Sequence, residues 1–294
     1  MNSKVSNFSS DPPRIEVHQA WWGMIGVGKN GKEWSTEEKL KIIAEVGFTG
    51  VLGTAFELDN DEQWIRLVRE NGLSWGIGLG PWDGDKLVSR MEQAKELGAL
   101  YANIQPGDAF TIGSEAVSFL EHVMSEADRI GLPCLFETHR GRITQDLLRT
   151  VEYLQALPDM RLTVDLSHYV LAGEMFIGMG DRIDIDPRVD TYFDTLLQRC
   201  SCIHMRVSNA QQIQVDIGND TQSNLLVEKY VAWWKQAVLY WQKEAKPGDI
   251  LPLVSELGPA DYAITRSDAN SREEISDRWQ QSLVLKKIVE NLIV

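Results

Sequence analysis

Four apolar segments of strand length in the second half of the chain each carry, at or near their carboxyl end, a residue that can bind a metal ion. These residues are Glu137, Asp165, His204 and Glu256. A charge at such a place is costly unless it is paired or bound to a metal. Three carboxylates and one imidazole suit Mg²⁺, Mn²⁺ or Co²⁺ with open water positions better than a closed structural zinc site. We therefore predict one divalent metal ion per chain at this place, with Mn²⁺, Mg²⁺, Co²⁺ and Zn²⁺ as candidates.

The same residues can catalyse proton transfer beside a carbonyl group. A divalent ion that bridges a carbonyl oxygen and a neighbouring hydroxyl stabilises an enediolate. A carboxylate must then remove the proton from the neighbouring carbon, and Glu137 and Glu256 are the candidates because a glutamate near the metal can reach a suitable pKa. Return of the proton gives epimerisation or aldose–ketose isomerisation. Loss of a β oxygen gives dehydration or glycoside elimination, and the ligand set does not choose among these outcomes.

Apolar segments of strand length alternate with longer amphipathic segments along the chain. The predicted strands are Ile15–Trp22, Gly50–Thr54, Leu73–Gly80, Leu100–Gln105, Pro133–His139, Arg161–His168, Ser201–Ser208 and Ile250–Glu256. The predicted helices are Thr36–Val46, Asp61–Asn71, Asp83–Leu97, Ser114–Ile130, Gln145–Leu157, Arg188–Arg199, Asn224–Glu244 and Arg272–Ile293. This alternation predicts βαβ units and a single closed (β/α)₈ barrel, whose active site lies at the carboxyl ends of the strands. A doubly wound sheet is the alternative, but no Gly-x-Gly-x-x-Gly motif follows the first strand.

The chain is expected to form one domain. We predict a flexible N-terminal segment over residues 1–14 and a barrel domain over residues 15–294. The longest loop is Gly173–Pro187, which follows strand six, where a barrel keeps catalytic loops. The polar N-terminal segment lacks the apolar core of a signal peptide, and no apolar run is long enough to span a bilayer, so a cytoplasmic protein is expected.

Charge and cysteine content restrict the class of partner. The chain has 29 Lys and Arg against 43 Asp and Glu, a formal net charge of −14. That average field repels a phosphate backbone and argues against nucleic acid as a partner. The three cysteines, Cys134, Cys200 and Cys202, lie in apolar segments and are expected to be buried free thiols.

Four sequence segments resemble the xylose isomerase-like superfamily of sugar isomerases and epimerases. They are FETHRGR, VDLSH, HMRV and SELGP, in this order and spacing, and the resemblance extends over roughly Ile15 to Val294. It implies a TIM barrel related to the ketose 3-epimerase and inosose dehydratase branches. It also implies that the four predicted ligands bind one Mn²⁺, Mg²⁺ or Co²⁺, and that the two glutamates move protons. His168 and Arg206 match substrate-binding residues of that superfamily.

Further residues are candidates for substrate binding. The Glu-Thr-His-Arg segment departs from the superfamily pattern, which makes His139 and Arg140 candidates for binding a distinctive substrate. Gln105 closes the fourth predicted strand. His18 and Trp21, together with Trp22, form either an apolar wall for a sugar ring or part of the core. For His168 and Arg206 the alternatives are holding a metal ligand in place and neutralising the carboxylates.

A metal-dependent keto-sugar isomerase or epimerase is therefore the expected function, with a small-molecule sugar as the partner. The alternative is a lyase or dehydratase that acts on a keto-sugar, keto-glycoside or inosose. An apurinic endonuclease is disfavoured because enzymes of that class need more histidines for a multi-metal cluster and a basic face. This chain has five histidines and a negative net charge. A non-catalytic sugar-binding barrel is disfavoured by the intact ligand set. No membrane partner is expected. The sequence does not decide whether the protein forms a homo-oligomer.

Overall fold

Eight parallel strands close into one barrel, so the predicted (β/α)₈ fold is confirmed. The computed structural model describes residues 4–60, 62–177, 184–219, 224–268 and 271–293. In chain order the barrel strands are β1 (Arg14–Ala20), β2 (Gly50–Thr54), β3 (Ser74–Leu79), β4 (Ala102–Ile104), β5 (Cys134–Glu137), β6 (Leu162–Val164), β7 (Cys200–Met205) and β8 (Ile250–Ser255). Each strand pairs with its chain neighbours, and β1 closes the barrel against β8 from the Arg14–Ile250 pair to the Gln19–Ser255 pair.

Helices surround the barrel and bury their apolar faces against it. In the described part they are α1 (Thr36–Glu45), α2 (Ala55–Asn60), α3 (Glu62–Glu70), α4 (Leu87–Glu96), α5 (Gly113–Ile130), α6 (Leu147–Ala156), α7 (Leu166–Ala172), α8 (Pro187–Leu197), α9 (Leu225–Glu244) and α10 (Arg278–Ile293). Local sequence sets their ends. Ser35 and Glu38 form a capping box at the start of α1, and Gly131 ends α5 in the left-handed region at φ 74°.

Several predicted element bounds differ from the structure, and four of the differences accompany a local structural feature. Strand β6 ends at Val164 because the side chain of Asp165 caps helix α7, which the sequence does not predict. Helix α4 begins at Leu87 because Gly84, at φ 50° and ψ −129°, interrupts the segment before it. Helix α10 begins only at Arg278, since residues 271–274 pair with 265–268 as a hairpin. Within the predicted loop Gly173–Pro187, residues 176–177 pair with 184–185, and residues 178–183 lie outside the described residues.

The segment before β1 contacts the amino end of the barrel. Val5 is fully buried in an apolar cluster with Tyr101, Leu135 and Ile250. The backbone amide of Ile250 donates to the carbonyl of Val5 at 2.9 Å. Part of the segment for which we predicted flexibility therefore packs against the barrel.

No helix in the described part of the chain is long and apolar enough to cross a membrane. The three cysteines are free and buried, as expected from their apolar surroundings.

Candidate active site

The four predicted ligands lie together at the carboxyl end of the barrel. Glu137 is the last residue of β5, His204 lies one residue before the end of β7, and Asp165 and Glu256 directly follow β6 and β8. Parallel strands of a barrel end at one face, which brings residues distant in sequence into contact. Their candidate ligand atoms all lie within 4.8 Å of one another. All four side chains are buried, and Glu256 is the most exposed at 7%.

Charges inside this cluster interact strongly. The Nη2 atom of Arg206 donates to Asp165 Oδ2 at 2.7 Å and also to Glu256 Oε2. His204 Nδ1 lies 2.9 Å from Glu256 Oε2 and 3.6 Å from Glu137 Oε1, but neither contact has the geometry of a hydrogen bond. Burial and the neighbouring carboxylates raise the pKa of Asp165 despite the attraction of Arg206. Burial would also raise the pKa of Glu137, but the charge of His204 and the hydrogen bond from Asn103 outweigh it and lower that pKa.

The cluster contains buried polar atoms that the described residues leave unsatisfied. Glu137 Oε1 and both ring nitrogens of His204 have no hydrogen-bond partner among them. Buried polar atoms normally form hydrogen bonds, so these unsatisfied atoms require an explanation. A divalent cation among these atoms supplies one, and the donor set of carboxylate oxygens and one imidazole fits Mn²⁺ or Mg²⁺.

Two histidines lie beside the cluster. The rings of His139 and His168 lie 3.9 Å apart between centroids. Burial lowers the pKa of both, which keeps the imidazoles neutral at pH 7. His139 Nδ1 donates to the carbonyl of Arg140 at 2.6 Å, so its Nε2 accepts from the Tyr262 hydroxyl at 3.2 Å. With Glu137 the two histidines form a second group of possible ligand atoms, also within 4.8 Å of one another.

A pocket of about 430 Å³ opens above the cluster. Glu256, Arg206 and His139 line it on the side of β5–β8. Small and apolar residues line it on the side of β1–β4, including Ala20, Leu52, Gly53 and Gly78. Aromatic rings border it at Trp22, Trp82 and Tyr262. Its size and its mixture of aromatic walls with a few polar groups are typical of a small-molecule site.

Comparisons with known proteins bear on the fold. No protein family matches the chain, and no curated protein matches it. Among solved structures, a xylose isomerase-like TIM barrel protein from Mycobacterium smegmatis in complex with magnesium matches over 97% of this chain and 98% of its own. The two are 12% identical, with a TM-score of 0.57. The chain has the xylose isomerase-like TIM-barrel fold.

Two further structures with the xylose isomerase-like fold are similar to this chain. The 3-keto-D-glucoside 4-epimerase YcjR from E. coli, in its apo form, is 13% identical over 94% of this chain and 99% of its own, with a TM-score of 0.57. The probable 3-DHS dehydratase AsbF from Bacillus anthracis is 15% identical over 84% of this chain and 94% of its own, with a TM-score of 0.52. At these identities the likeness concerns the fold.

Most of the other predicted site residues lie at or beside the pocket of this xylose isomerase-like barrel. Gln105, His139 and Arg206 line it. His168 is fully buried on helix α7, with its Nε2 3.6 Å from Asp165 Oδ2. The Arg140 guanidinium lies 5.0 Å from the centre of the Tyr262 ring.

Two predicted residues lie elsewhere. His18 is buried within the barrel, where its Nε2 lies 3.1 Å from both Glu16 and Ser74. Trp21 packs edge-on against Trp64 at 5.7 Å between ring centroids, and the neighbouring Trp22 lines the pocket instead. Of the two interpretations left open for this segment, the core position fits His18 and Trp21.

Sequence analysis missed several residues at the site, and four of them carry polar or aromatic side chains that bear on its chemistry. Asn103 Nδ2 donates to Glu137 Oε2 at 2.8 Å, and Arg142, Trp82 and Tyr262 line the pocket. A signal existed for Asn103, because it lies two residues before Gln105 in one strand and therefore faces the same side. Arg142 and Tyr262 lie in loops and Trp82 lies in a short 3-10 helix, and segments of this kind have no periodic signature in the sequence.

Proposed function

We propose that this protein is a divalent-metal-dependent isomerase or epimerase of keto-sugars. One observation carries the proposal: four potential ligands, two of which have unsatisfied buried atoms, lie directly beneath a pocket of small-molecule size. Support also comes from the epimerases among proteins of the same fold. Glu137, Asp165, His204 and Glu256 would hold the metal. When bound there, the ion would polarise the carbonyl and neighbouring hydroxyl of the substrate and so stabilise an enediolate.

In this proposal Glu256 and Glu137 exchange the proton at the carbon beside the carbonyl. Glu256 lines the pocket and is partly exposed, whereas Glu137 is fully buried and fixed by the hydrogen bond from Asn103. Two bases at the ends of different strands, β5 and β8, can approach the substrate from different directions. Removal by one and return by the other inverts the carbon, which is epimerisation.

Arg206 has the geometry to bind substrate oxygen as well as to hold the carboxylates. Its Nη2 is occupied by Asp165 and Glu256, but Nε and Nη1 have no partner among the described residues. The guanidinium lies 4.8 Å from the centre of the Tyr262 ring, which restricts its orientation. A hydroxyl or carbonyl oxygen of the substrate can accept from these free N–H groups.

A lyase is the second candidate, and the pair of Tyr262 and His139 favours it. Burial raises the pKa of Tyr262, so its hydroxyl stays protonated at neutral pH. That hydroxyl lies 3.2 Å from His139 Nε2 and borders the pocket, where it can protonate a leaving oxygen. Elimination would then follow the same proton abstraction by a glutamate.

Hydrogen–deuterium exchange tests the proposal. The Mn²⁺-loaded protein is incubated in D₂O with ketoses and keto-glycosides, and deuterium at the carbon beside the carbonyl is followed by NMR. We expect exchange with the native protein and none with Glu256→Gln or Glu137→Gln in excess metal. Near-native exchange in both variants would place the base elsewhere, with His168 the next candidate. No exchange with any substrate would refute the enediolate mechanism, and β-elimination products would identify the lyase.

A further inference from the structure

Arg142 differs from the other arginine that lines the pocket because it lacks an acidic partner. The charge of Arg206 is taken up by Asp165 and Glu256. Arg142 forms no ion pair with any described residue. Its Nε donates to Gln105 Oε1 at 3.2 Å and its Nη1 to the carbonyl of Gly141 at 3.2 Å. No hydrogen bond from its Nη2 to the described residues is found.

The surroundings hold the Arg142 guanidinium in one place. Its Cζ lies 5.6 Å from the centre of the Trp82 ring, at the distance of a cation–π contact. The amide of Ile143 donates to the carbonyl of Pro106 at 2.9 Å, which joins the loop after β5 to the loop after β4. The arginine is therefore presented to the pocket in a fixed orientation by two connected loops.

The nearby carboxylate of Asp108 is hydrogen-bonded within its own loop. Asp108 Oδ1 accepts from the backbone amides of Phe110 and Thr111 at 2.8 and 3.0 Å. These bonds, and to a smaller degree the charge of Arg142, lower the pKa of Asp108. Among the charged residues that line the pocket, Glu256 is paired with Arg206, so the charge of Arg142 is the one left without a partner there.

The protein as a whole repels anions, since its formal net charge is −14. A pocket that receives an anion in such a protein needs a local cation to offset the average field. A planar guanidinium with free N–H groups matches the geometry of a carboxylate or a phosphate. A neutral sugar does not require one.

We propose that Arg142, supported by Trp82 and Gln105, binds an anionic group of the substrate. The substrate class is then a keto-sugar that carries a carboxylate or a phosphate away from the carbon that loses its proton. This inference rests on the proposed function for the sugar part of the ligand. Arg142 acts in it as a specificity-determining residue and takes no part in proton transfer.

A matched set of ligands tests the proposal by calorimetric titration of the Mn²⁺-loaded protein. D-fructose, D-fructuronate and D-fructose 6-phosphate share one keto-sugar and differ at carbon 6. We expect at least one of the anions to bind about tenfold more tightly than D-fructose, the effect of one hydrogen-bonded charge pair. The anion with the larger gain identifies the carboxylate or the phosphate as the natural group.

Two variants test whether Arg142 causes the preference for the anionic ligand. Arg142→Gln should remove the preference for the anion and still bind D-fructose, which also shows that the variant is folded. Arg149→Gln is the matched control, because Arg149 donates to the carbonyl of Ala109 and does not line the pocket. It should keep the preference. Equal affinity of the native protein for all three ligands, or a preference that survives in Arg142→Gln, would overturn the inference.

The deuterium exchange assay separates this inference from the proposed function. Exchange with D-fructose in the absence of any anion preference would leave the isomerase proposal intact and remove the anion site. An anion preference that depends on Arg142, without exchange on any ligand of the set, would establish the anion site and count against the isomerase.

Discussion

Two buried clusters of acidic and imidazole side chains lie inside the same barrel, and they differ in how their polar atoms are satisfied. In the first, which we name the lower cluster, Glu16 Oε1 accepts from Arg14 Nε at 2.9 Å, and Glu16 Oε2 accepts from the Ser74 hydroxyl at 2.5 Å. His18 Nε2 lies 3.1 Å from Glu16 Oε2, and its Nδ1 faces the Tyr101 hydroxyl at 3.4 Å. Both imidazole nitrogens thus have a partner.

The second, which we name the upper cluster, consists of Glu137, Asp165, His204 and Glu256. It has residue types of the same kind, but Glu137 Oε1 and both nitrogens of His204 lack a partner among the described residues. A charge network that only stabilises a fold is complete by itself. The contrast fits a structural role for the lower cluster and supports the proposal that the upper cluster binds a metal ion.

The largest expected effect is on catalysis in the upper cluster. Glu256→Gln keeps the shape and a weak oxygen ligand but removes the base, so kcat should fall on the order of 10²-fold or more with metal in excess. Glu16→Gln, in the lower cluster, should leave kcat nearly unchanged. Steady-state rates on the substrate found by deuterium exchange check both. An equal loss of kcat in the two variants would break the distinction between the clusters.

Metal binding should stabilise the protein through the upper cluster. At a free Mn²⁺ concentration of about 100 Kd, mass action adds about 2.7 kcal/mol to the free energy of unfolding. Thermal denaturation with Mn²⁺ and with a chelator measures this effect as a shift of Tm. Asp165→Asn should lose most of the shift, whereas Glu16→Gln should keep it. If none of the four candidate ions changes the Tm of the native protein, the metal site is contradicted.

Stability of the lower cluster should depend on pH. Hydrogen bonds and the charge of His18 outweigh burial and lower the pKa of Glu16 from 4.5 to about 2. A lowered pKa in the folded state contributes stability above pH 4.5 that is lost as the pH falls towards 2. Because glutamine keeps one acceptor, Glu16→Gln should cost about 2 kcal/mol at pH 7 and progressively less below pH 4.5. Urea unfolding at pH 7 and pH 3 measures this, and a pH-independent difference would argue against it.

The smallest expected effect comes from Ser74, whose hydroxyl is one of several bonds to Glu16. Ser74→Ala should lower the free energy of unfolding by about 1 kcal/mol, the usual net contribution of one hydrogen bond. Equilibrium unfolding in urea checks the value. A loss several times larger would mean that the lower cluster depends on each member and behaves as a cooperative network.

Residue types and their order were enough to predict the barrel and the upper cluster. Periodic apolar segments predict where strands form, and the barrel places the ends of β5 to β8 at one face. The four residues of the upper cluster could be predicted because each lies at or near a strand end. The predicted strand and helix bounds were less accurate where a side chain caps a helix that the sequence does not predict, as at Asp165. Its carboxylate caps α7, which places His168 on a helix beside the cluster instead of at a strand end.

The aromatic wall of the pocket was only partly predictable. Trp21 and Trp22 are adjacent in the sequence and equally apolar, so composition does not distinguish them. In the structure Trp21 packs against Trp64, and Trp22 contacts Tyr262 edge-on at 5.0 Å. Which of the two faces the pocket depends on the turn that follows β1 and on partners far away in the chain.

By itself, the sequence determined the (β/α)₈ architecture and the residue types of the upper cluster, because hydrophobic periodicity and residue type are local properties. Only the tertiary structure decided which polar atoms are satisfied. The lower cluster is complete because Arg14 and Ser74, sixty residues apart by number, both bond to Glu16. The tertiary structure also placed Trp82, Arg142 and Tyr262 around one pocket, since loop paths depend on long-range packing that no short sequence pattern encodes.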